Sequence, residues 1–305
     1  MKRIFLFCLI FLFLPVFPTV HAGEIRFTDA LGREIILEKR PERAVSFLGS
    51  FAENWLLSGG ALSGTTEDTV SERGIALDEN TLIIGTNKKP SLELTISLSP
   101  DFLILSAELE AHLALKEVLD TLSVPYAYFS VNTWQEYIAM MNLFCAINDV
   151  GADSFAHLET VEAPILAEIE RAKASPLYGE KTCLLLRAYS TGVKAKGSDN
   201  LAGAILQDMG LVNLADSQET LLESLSLEGI LMMDPDYIFI TTMGSDPEKA
   251  MIALQEQFSS SPAWQALSAV QNGRVIELDR ELFHLKPNAR WAESYQVIGE
   301  LLYAP

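Results

Sequence analysis

The apolar positions of this chain follow two periods in alternation, and that alternation predicts an α/β protein. Residues 24–37 read as two strand-like runs, Glu-Ile-Arg-Phe-Thr and Glu-Ile-Ile-Leu, around the turn residues Asp29 and Gly32, which predicts an N-terminal hairpin. Short apolar runs without polar alternation then recur at residues 43–48, 82–85, 102–105, 125–129, 181–189, 237–240 and 274–278. Such runs fit strands buried on both faces of a parallel sheet. Between them lie stretches of helical spacing, at residues 51–57, 108–122, 133–147, 200–209, 246–258, 264–267 and 289–303. Residues 190–198 are polar and contain glycine, so they read as a loop. Strand, turn and helix in repeated succession build parallel sheets covered by helices.

One helix-turn-strand unit occurs twice. Residues 91–105 begin Ser-Leu-Glu and reach Pro100-Asp101 before the run Phe-Leu-Ile-Leu; residues 226–240 begin Ser-Leu-Glu and reach Pro235-Asp236 before Tyr-Ile-Phe-Ile, at a constant offset of 135 residues. In each copy the Ser is placed to cap a short helix and the Glu to complement its dipole, while Pro-Asp turns the chain into a buried strand. The longest helical pattern, residues 149–174, lies between the copies and carries Phe155, Leu158, Val161, Ile165, Leu166 and Ile169, with Pro164 predicting a kink or a break. The expected organisation is a segment 1–22, an α/β lobe 23–148, a connecting helix 149–175 and a second α/β lobe 176–305.

The first segment is of a different kind. Lys2 and Arg3 precede an apolar run at residues 4–17, too short to span a bilayer, and Val20-His21-Ala22 offers small residues for cleavage. This predicts a signal peptide removed after Ala22 and a soluble periplasmic product. Cys8 lies inside the apolar run, not at a lipoprotein cleavage point. Cys145 and Cys183 sit in apolar runs and read as buried thiols.

Composition narrows the partners. With 49% hydrophobic and 21% charged residues the chain is globular and not disordered. Its formal charge of −19 becomes −21 once Lys2 and Arg3 are removed, which argues against nucleic acid and anionic membranes. An anionic ligand would need a local basic patch against that field.

The residues Asp29-Ala-Leu-Gly-Arg-Glu, Pro41-Glu-Arg-Ala-Val-Ser, Pro90-Ser-Leu-Glu with Pro100-Asp101, Gly210-Leu-Val-Asn213, Leu225-Ser-Leu-Glu228 with Asp234-Pro-Asp236, and Asn272-Gly-Arg-Val with Leu278-Asp279 carry a resemblance. In that order, over nearly the whole mature chain, they resemble the cobalamin- and siderophore-binding class of periplasmic binding proteins, the receptors of ABC importers. The resemblance implies two Rossmann-like lobes with mainly parallel sheets, joined by one long helix, and a ligand cleft between them. It implies a monomeric receptor that binds a small-molecule metal chelate, with no catalytic residue, no cofactor and no resident metal. It also implies docking on an ABC permease through one surface carboxylate per lobe, here Glu93 and Glu228 of the repeat. Cobalamin-binding members carry tryptophans near the loops occupied here by Asn87 and Leu222. That departure places a ferric siderophore ahead of a corrinoid, with haem third.

Ligands of open α/β sheets bind outside the carboxyl ends of the strands. The loops expected there are 48–51, 65–69, 86–89, 106–108, 130–134, 189–196, 242–245 and 280–286. From them, Ser50, Asn87, Lys88, Arg187, Tyr189, Lys194 and Lys286 are the candidate ligand contacts, with Arg187 foremost because it interrupts an apolar run. Trp55 offers a ring for stacking, with core packing as the competing reading, as for Trp134. An exported α/β enzyme is the reading from another class. Gly192 to Gly197 has the glycine spacing of a P-loop, but Ser198 stands where the lysine must be. Gly49-Ser50 lacks the glycine pattern of a nucleophile elbow. His112, His157 and His284 have no metal-ligand spacing and read as surface histidines.

Overall fold

The computed structural model describes residues 19–21, 24–150, 156–218, 222, 227–244, 246–258 and 261–303. The predicted signal segment lies almost wholly outside these residues, as do Phe155 and Ser226. The expected α/β architecture is present as two five-stranded sheets. In the first, all strands are parallel, in the spatial order Tyr126–Phe129, Phe102–Ser106, Ala44–Ser46, Leu62–Thr65 and Leu82–Ile83. The second runs Gly192–Lys196, Thr182–Tyr189, Tyr237–Thr242 and Val275–Glu277, with Val212–Asn213 also pairing to Thr182–Tyr189. Its first pair is antiparallel and the others are parallel.

Two of the longer strands differ from the sequence expectation. Leu62–Thr65 was hidden because Ser63 and Gly64 break the apolar run, yet it is paired on both sides. Gly192–Lys196 is an edge strand and not a loop; its alternating burial, Val193 and Ala195 in and Lys194 out, is the half-buried pattern of an edge.

The hairpin Glu24–Thr28 and Glu34–Leu37 is antiparallel, as predicted. Its turn explains the Asp29-to-Arg33 motif. The buried Asp29 carboxylate accepts from the backbone N–H groups of Leu31, Arg33 and Tyr128 and pairs with the Arg33 guanidinium at 2.6 Å. Arg33 in turn stacks on Tyr126 and Tyr128, which ties the hairpin to the edge of the first sheet.

The repeat is a repeat of backbone as well as of sequence. Helices Leu92–Ser97 and Leu227–Met233 are followed by Ser99 (φ 48°) and Asp234 (φ 42°), both left-handed and each just before its proline. Each Pro-Asp carboxylate then grips the start of a neighbouring strand. Asp101 accepts from the N–H groups of Glu42 and Arg43, and Asp236 from that of Thr182. The aspartates are thus register clamps for the first strand of each sheet. Ser91 Oγ caps the first helix by accepting from Leu94 N.

The connecting helix Ala156–Lys173 runs through Pro164 without a break, which corrects one of the two expectations there. It buries Leu158, Val161, Ile165, Ile169 and Ala172 on one stripe, while Leu166 faces solvent. The terminal helix Trp291–Tyr303 packs along it. Together they make one continuous apolar core that reaches from Phe102 and Phe144 in the first lobe to Leu185 and Phe239 in the second. The two sheets therefore share a core at their base and part only above it. Cys145 and Cys183 are buried free thiols; burial pushes Cys183 up to about 12.

Candidate functional site

The spatial strand order of the first sheet reverses between Ala44–Ser46 and Phe102–Ser106, because the chain builds outward from the centre in both directions. Loops leaving adjacent strands at such a switch point diverge and leave a crevice. A cavity of about 550 Å³ opens there. Its first wall comes from Leu48 and Ser50 after one strand, Ser106 and Glu108 after the other, and Glu67, Asp68, Asn87 and Lys88 beyond. Its second wall comes from Arg187, Asn200, Met243 and Gly244 of the second lobe. Residues 280–286 close one side, supplying Arg280, Phe283, His284 and Lys286.

Lys88 sits at the tip of a tight hairpin, Gly85–Thr86 paired with Lys89–Pro90. Gly85 (φ +114°) is required there, since a Cβ would lie 2.6 Å from the Lys89 carbonyl oxygen. The loop is held from behind by His112. Its Nδ1 accepts from Ser106 N at 2.9 Å, so the proton is on Nε2, which donates to the Asn87 carbonyl at 2.9 Å. Burial keeps this imidazole neutral and lowers its pKa to about 4. The expectation of a surface histidine at 112 is therefore overturned: the ring is inside, with both nitrogens engaged by backbone.

Arg187 has few commitments. It is half-buried, and its hydrogen bonds to Thr241 and Asn200 are long, 3.5 Å and 3.4 Å. Burial lowers its pKa, with Tyr189 acting in the opposite sense. Lys88 has no ion-pair partner among the described residues. The remaining cavity cations are paired. Arg73 bonds Glu53 through Nε at 2.7 Å, Arg280 meets Glu72 at 3.2 Å, and Lys286 meets Glu108 at 2.8 Å.

Around His284 the cavity's cations gather despite the acidic chain. His284 is lowered to about 4, first by burial and then by the charges of Arg187, Arg280, Lys286 and Lys88. Four cations thus act on one point of the cavity wall. The helix Gly49–Leu57 does not add to them, because Asp68 already accepts from Gly49 N at 2.7 Å at its N-terminus. Ser50 Oγ, Asp68 Oδ1 and Arg280 Nε are buried polar atoms in this wall without a hydrogen bond among the described residues.

The structure brings Ser50, Asn87, Lys88, Arg187 and Lys286 to this cavity. Tyr189 and Lys194 line a separate depression with Thr191, Val193 and Gln257, because the segment expected to be a crevice loop is an edge hairpin. Trp55 is fully buried away from the cavity. Its ring packs 5.7 Å from Phe102 and 5.2 Å from Phe144, and its Nε1 donates to the Ala61 carbonyl. A Cβ at Gly60 would lie 2.3 Å from Trp55 Nε1, so the glycine there makes room for the ring. Glu93 and Glu228 are both exposed, each in the first turn of its repeat helix. Sequence reasoning missed Glu72, Arg73, Glu108 and Arg280. Arg280, His284 and Lys286 had the signal that singled out Arg187, charge among apolar neighbours, here Leu282, Phe283 and Leu285. Nothing local marks Glu72, whose partner is 208 residues away.

Comparison with known proteins adds three findings. A sequence model of the family described as periplasmic binding protein matches residues 54–282. A Bacillus subtilis (strain 168) protein named Fe(3+)-citrate-binding protein YfmC is 25% identical over 265 residues, covering 85% of this chain and 76% of that protein. Among solved structures, Staphylococcus aureus SirA complexed with staphyloferrin B superimposes with a TM-score of 0.66 at 20% identity, over 91% of this chain and 97% of that one. S. aureus IsdE complexed with heme gives 0.71 at 15% identity, over 86% and 98%.

Proposed function

The chain belongs to the periplasmic binding protein family, and from that premise we propose that it is an exported receptor that captures an anionic ferric chelate and hands it to an ABC permease. The observation that carries this reading is the pair of uncommitted cations, Lys88 from one lobe and Arg187 from the other, facing one cavity in a chain of charge −19. A half-buried guanidinium with no carboxylate at ion-pair distance among the described residues has lost water without a paired counter-ion, and an anionic ligand restores that balance. The ferric siderophore class supplies such a ligand, with charged oxygens around the metal. The ferric citrate named for the B. subtilis relative is of the same chemistry.

Ser50, Asn87, Lys88, Arg187 and Lys286 are the contacts we assign. Tyr189 acts through Arg187, whose charged form it favours. The lobes are taken as residues 23–148 and 176–305, with 149–175 between them. Glu93 and Glu228 are the permease-docking carboxylates, one per lobe. Residues 1–22 are the export signal; a mature N-terminus at Gly23, read by mass spectrometry of the soluble periplasmic fraction, is the expected product.

Haem is the second reading. It rests on His284, neutral and on the cavity wall, together with Met243. Imidazole and thioether are both axial ligands of haem iron. Fluorescence quenching across ferric citrate, other ferric siderophores, a corrinoid and haem separates the two. Tight binding of a ferric chelate with no Soret change on haem addition supports the first reading, and the reverse pattern replaces it with the second. Turnover of ester or nucleotide substrates by the purified protein would move it out of the receptor class altogether.

A further inference from the structure

Two ion pairs cross the cleft, and both use cations that face the cavity. Arg280 of the second lobe meets Glu72 of the first at 3.2 Å, and Lys286 meets Glu108 at 2.8 Å. All four residues line the cavity. The pairs are unevenly made. Glu72 takes only one edge of the Arg280 fork, leaving Nε buried with no acceptor among the described residues. Glu108 does not depend on Lys286, since its Oε1 also accepts from Ser130 at 2.8 Å and Asn132 at 2.6 Å. Lys286 likewise has a second partner, the Val131 carbonyl at 2.5 Å. A carboxylate that keeps its other hydrogen bonds and a guanidinium with an unused donor can part at low cost.

We propose that Glu72 and Glu108 are built-in counter-ions: they hold Arg280 and Lys286 until an anionic ligand displaces them, and they thereby temper how tightly the cleft takes up a chelate of negative charge. The inference rests on reading this cavity as the chelate site. A ligand oxyanion and a glutamate compete for the same donors, and the glutamate charge repels the ligand besides. A neutral or cationic chelate has no means of displacing either carboxylate. The pairs would therefore lower affinity for an anionic ligand, which must displace and outcompete the carboxylates, and would not lower it for a cationic one, which the carboxylates attract.

The sign of the test is opposite to that of ordinary contact residues. Glu72→Gln and Glu108→Gln each keep the shape and one acceptor oxygen while removing the charge. Each variant is expected to bind ferric citrate more tightly, by about threefold to tenfold, because a partly exposed ion pair and one like-charge repulsion are both removed. Affinity for a cationic ferric trihydroxamate should stay the same or fall. Glu117→Gln, which removes the same charge from an exposed position outside the cavity, should change neither affinity and so excludes a general field effect. Unchanged or weaker ferric citrate binding by both cavity variants, at native melting temperature, overturns the inference; so does an equal gain for the cationic chelate. Should the variants fold poorly, a structure of the native protein with ferric citrate decides: both ion pairs intact beside the bound ligand also overturns it. Failure of the native protein to bind any ferric chelate overturns the functional reading itself, whereas loss of binding in Arg187→Ala with no gain in the glutamine variants removes this inference alone.

Discussion

Replacing Arg187 separates its role in ligand capture from any role in stability, because the structure predicts opposite outcomes for the two. In the free protein the guanidinium makes two long hydrogen bonds to neutral partners, at 3.4 and 3.5 Å, and no ion pair among the described residues. Burial opposes its charge, as the lowered pKa records. Arg187→Met keeps the apolar stem that packs in the wall and removes the charge. The melting temperature should therefore hold or rise slightly. Ligand binding should fall, because a charge-assisted hydrogen bond is worth about 1.5–3 kcal/mol, or about tenfold to hundredfold in affinity. Arg187→Lys should recover only part of this, since an ammonium lacks the planar fork that grips two oxygens at once. The assay is chelate titration by intrinsic fluorescence beside thermal melting of the same preparations. A Met variant that binds ferric chelate with native affinity refutes the reasoning. So does one that loses binding only in proportion to lost fold.

Three further outcomes are expected. His112 is held near pKa 4 in the fold and titrates near 6.5 when unfolded, so between those values the unfolded chain binds more protons and stability rises with pH. Its contribution, on the order of 3 kcal/mol, is complete above about pH 6.5 and is lost as pH falls toward 4. His284 acts in the same direction, so denaturant midpoints measured over this window should flatten fully only in the His112→Gln, His284→Gln double variant. Trp55→Ala should cost about 3–5 kcal/mol in chemical unfolding as a core truncation, while whatever remains folded binds ligand normally. Glu93→Ala with Glu228→Ala should leave ligand affinity and melting temperature intact and abolish uptake in cells, each single variant losing part, as for a two-point clamp; native uptake by the double variant would remove both residues from docking.

Much of the fold was legible because periodicity is a local property. The buried runs at residues 102–105 and 181–189 announced central parallel strands, since only a strand covered on both faces can be apolar throughout. The repeat was legible too, and so was Arg187, a charge that interrupts an apolar run. Other features depend on what the chain meets later. Ser63 and Gly64 look like loop until partners on both sides make them strand. Lys194 looked like cleft until Val193 and Ala195 found a sheet to bury against.

The site divides along the same line. That loops at the carboxyl ends of buried strands would carry cations in an acidic protein was readable along the chain, because strand runs, turn chemistry and charge count are all properties of neighbouring residues. Tertiary structure alone decided which cations are committed. Arg280 and Lys286 are paired, to carboxylates 208 and 178 residues away, while Lys88 and Arg187 are not. Trp55, five residues from the cavity residue Ser50, points into the core because the helix Gly49–Leu57 turns that face toward Phe102 and Phe144. Ion pairing and facing are set by distances across the fold, and a distance across the fold has no counterpart in local sequence.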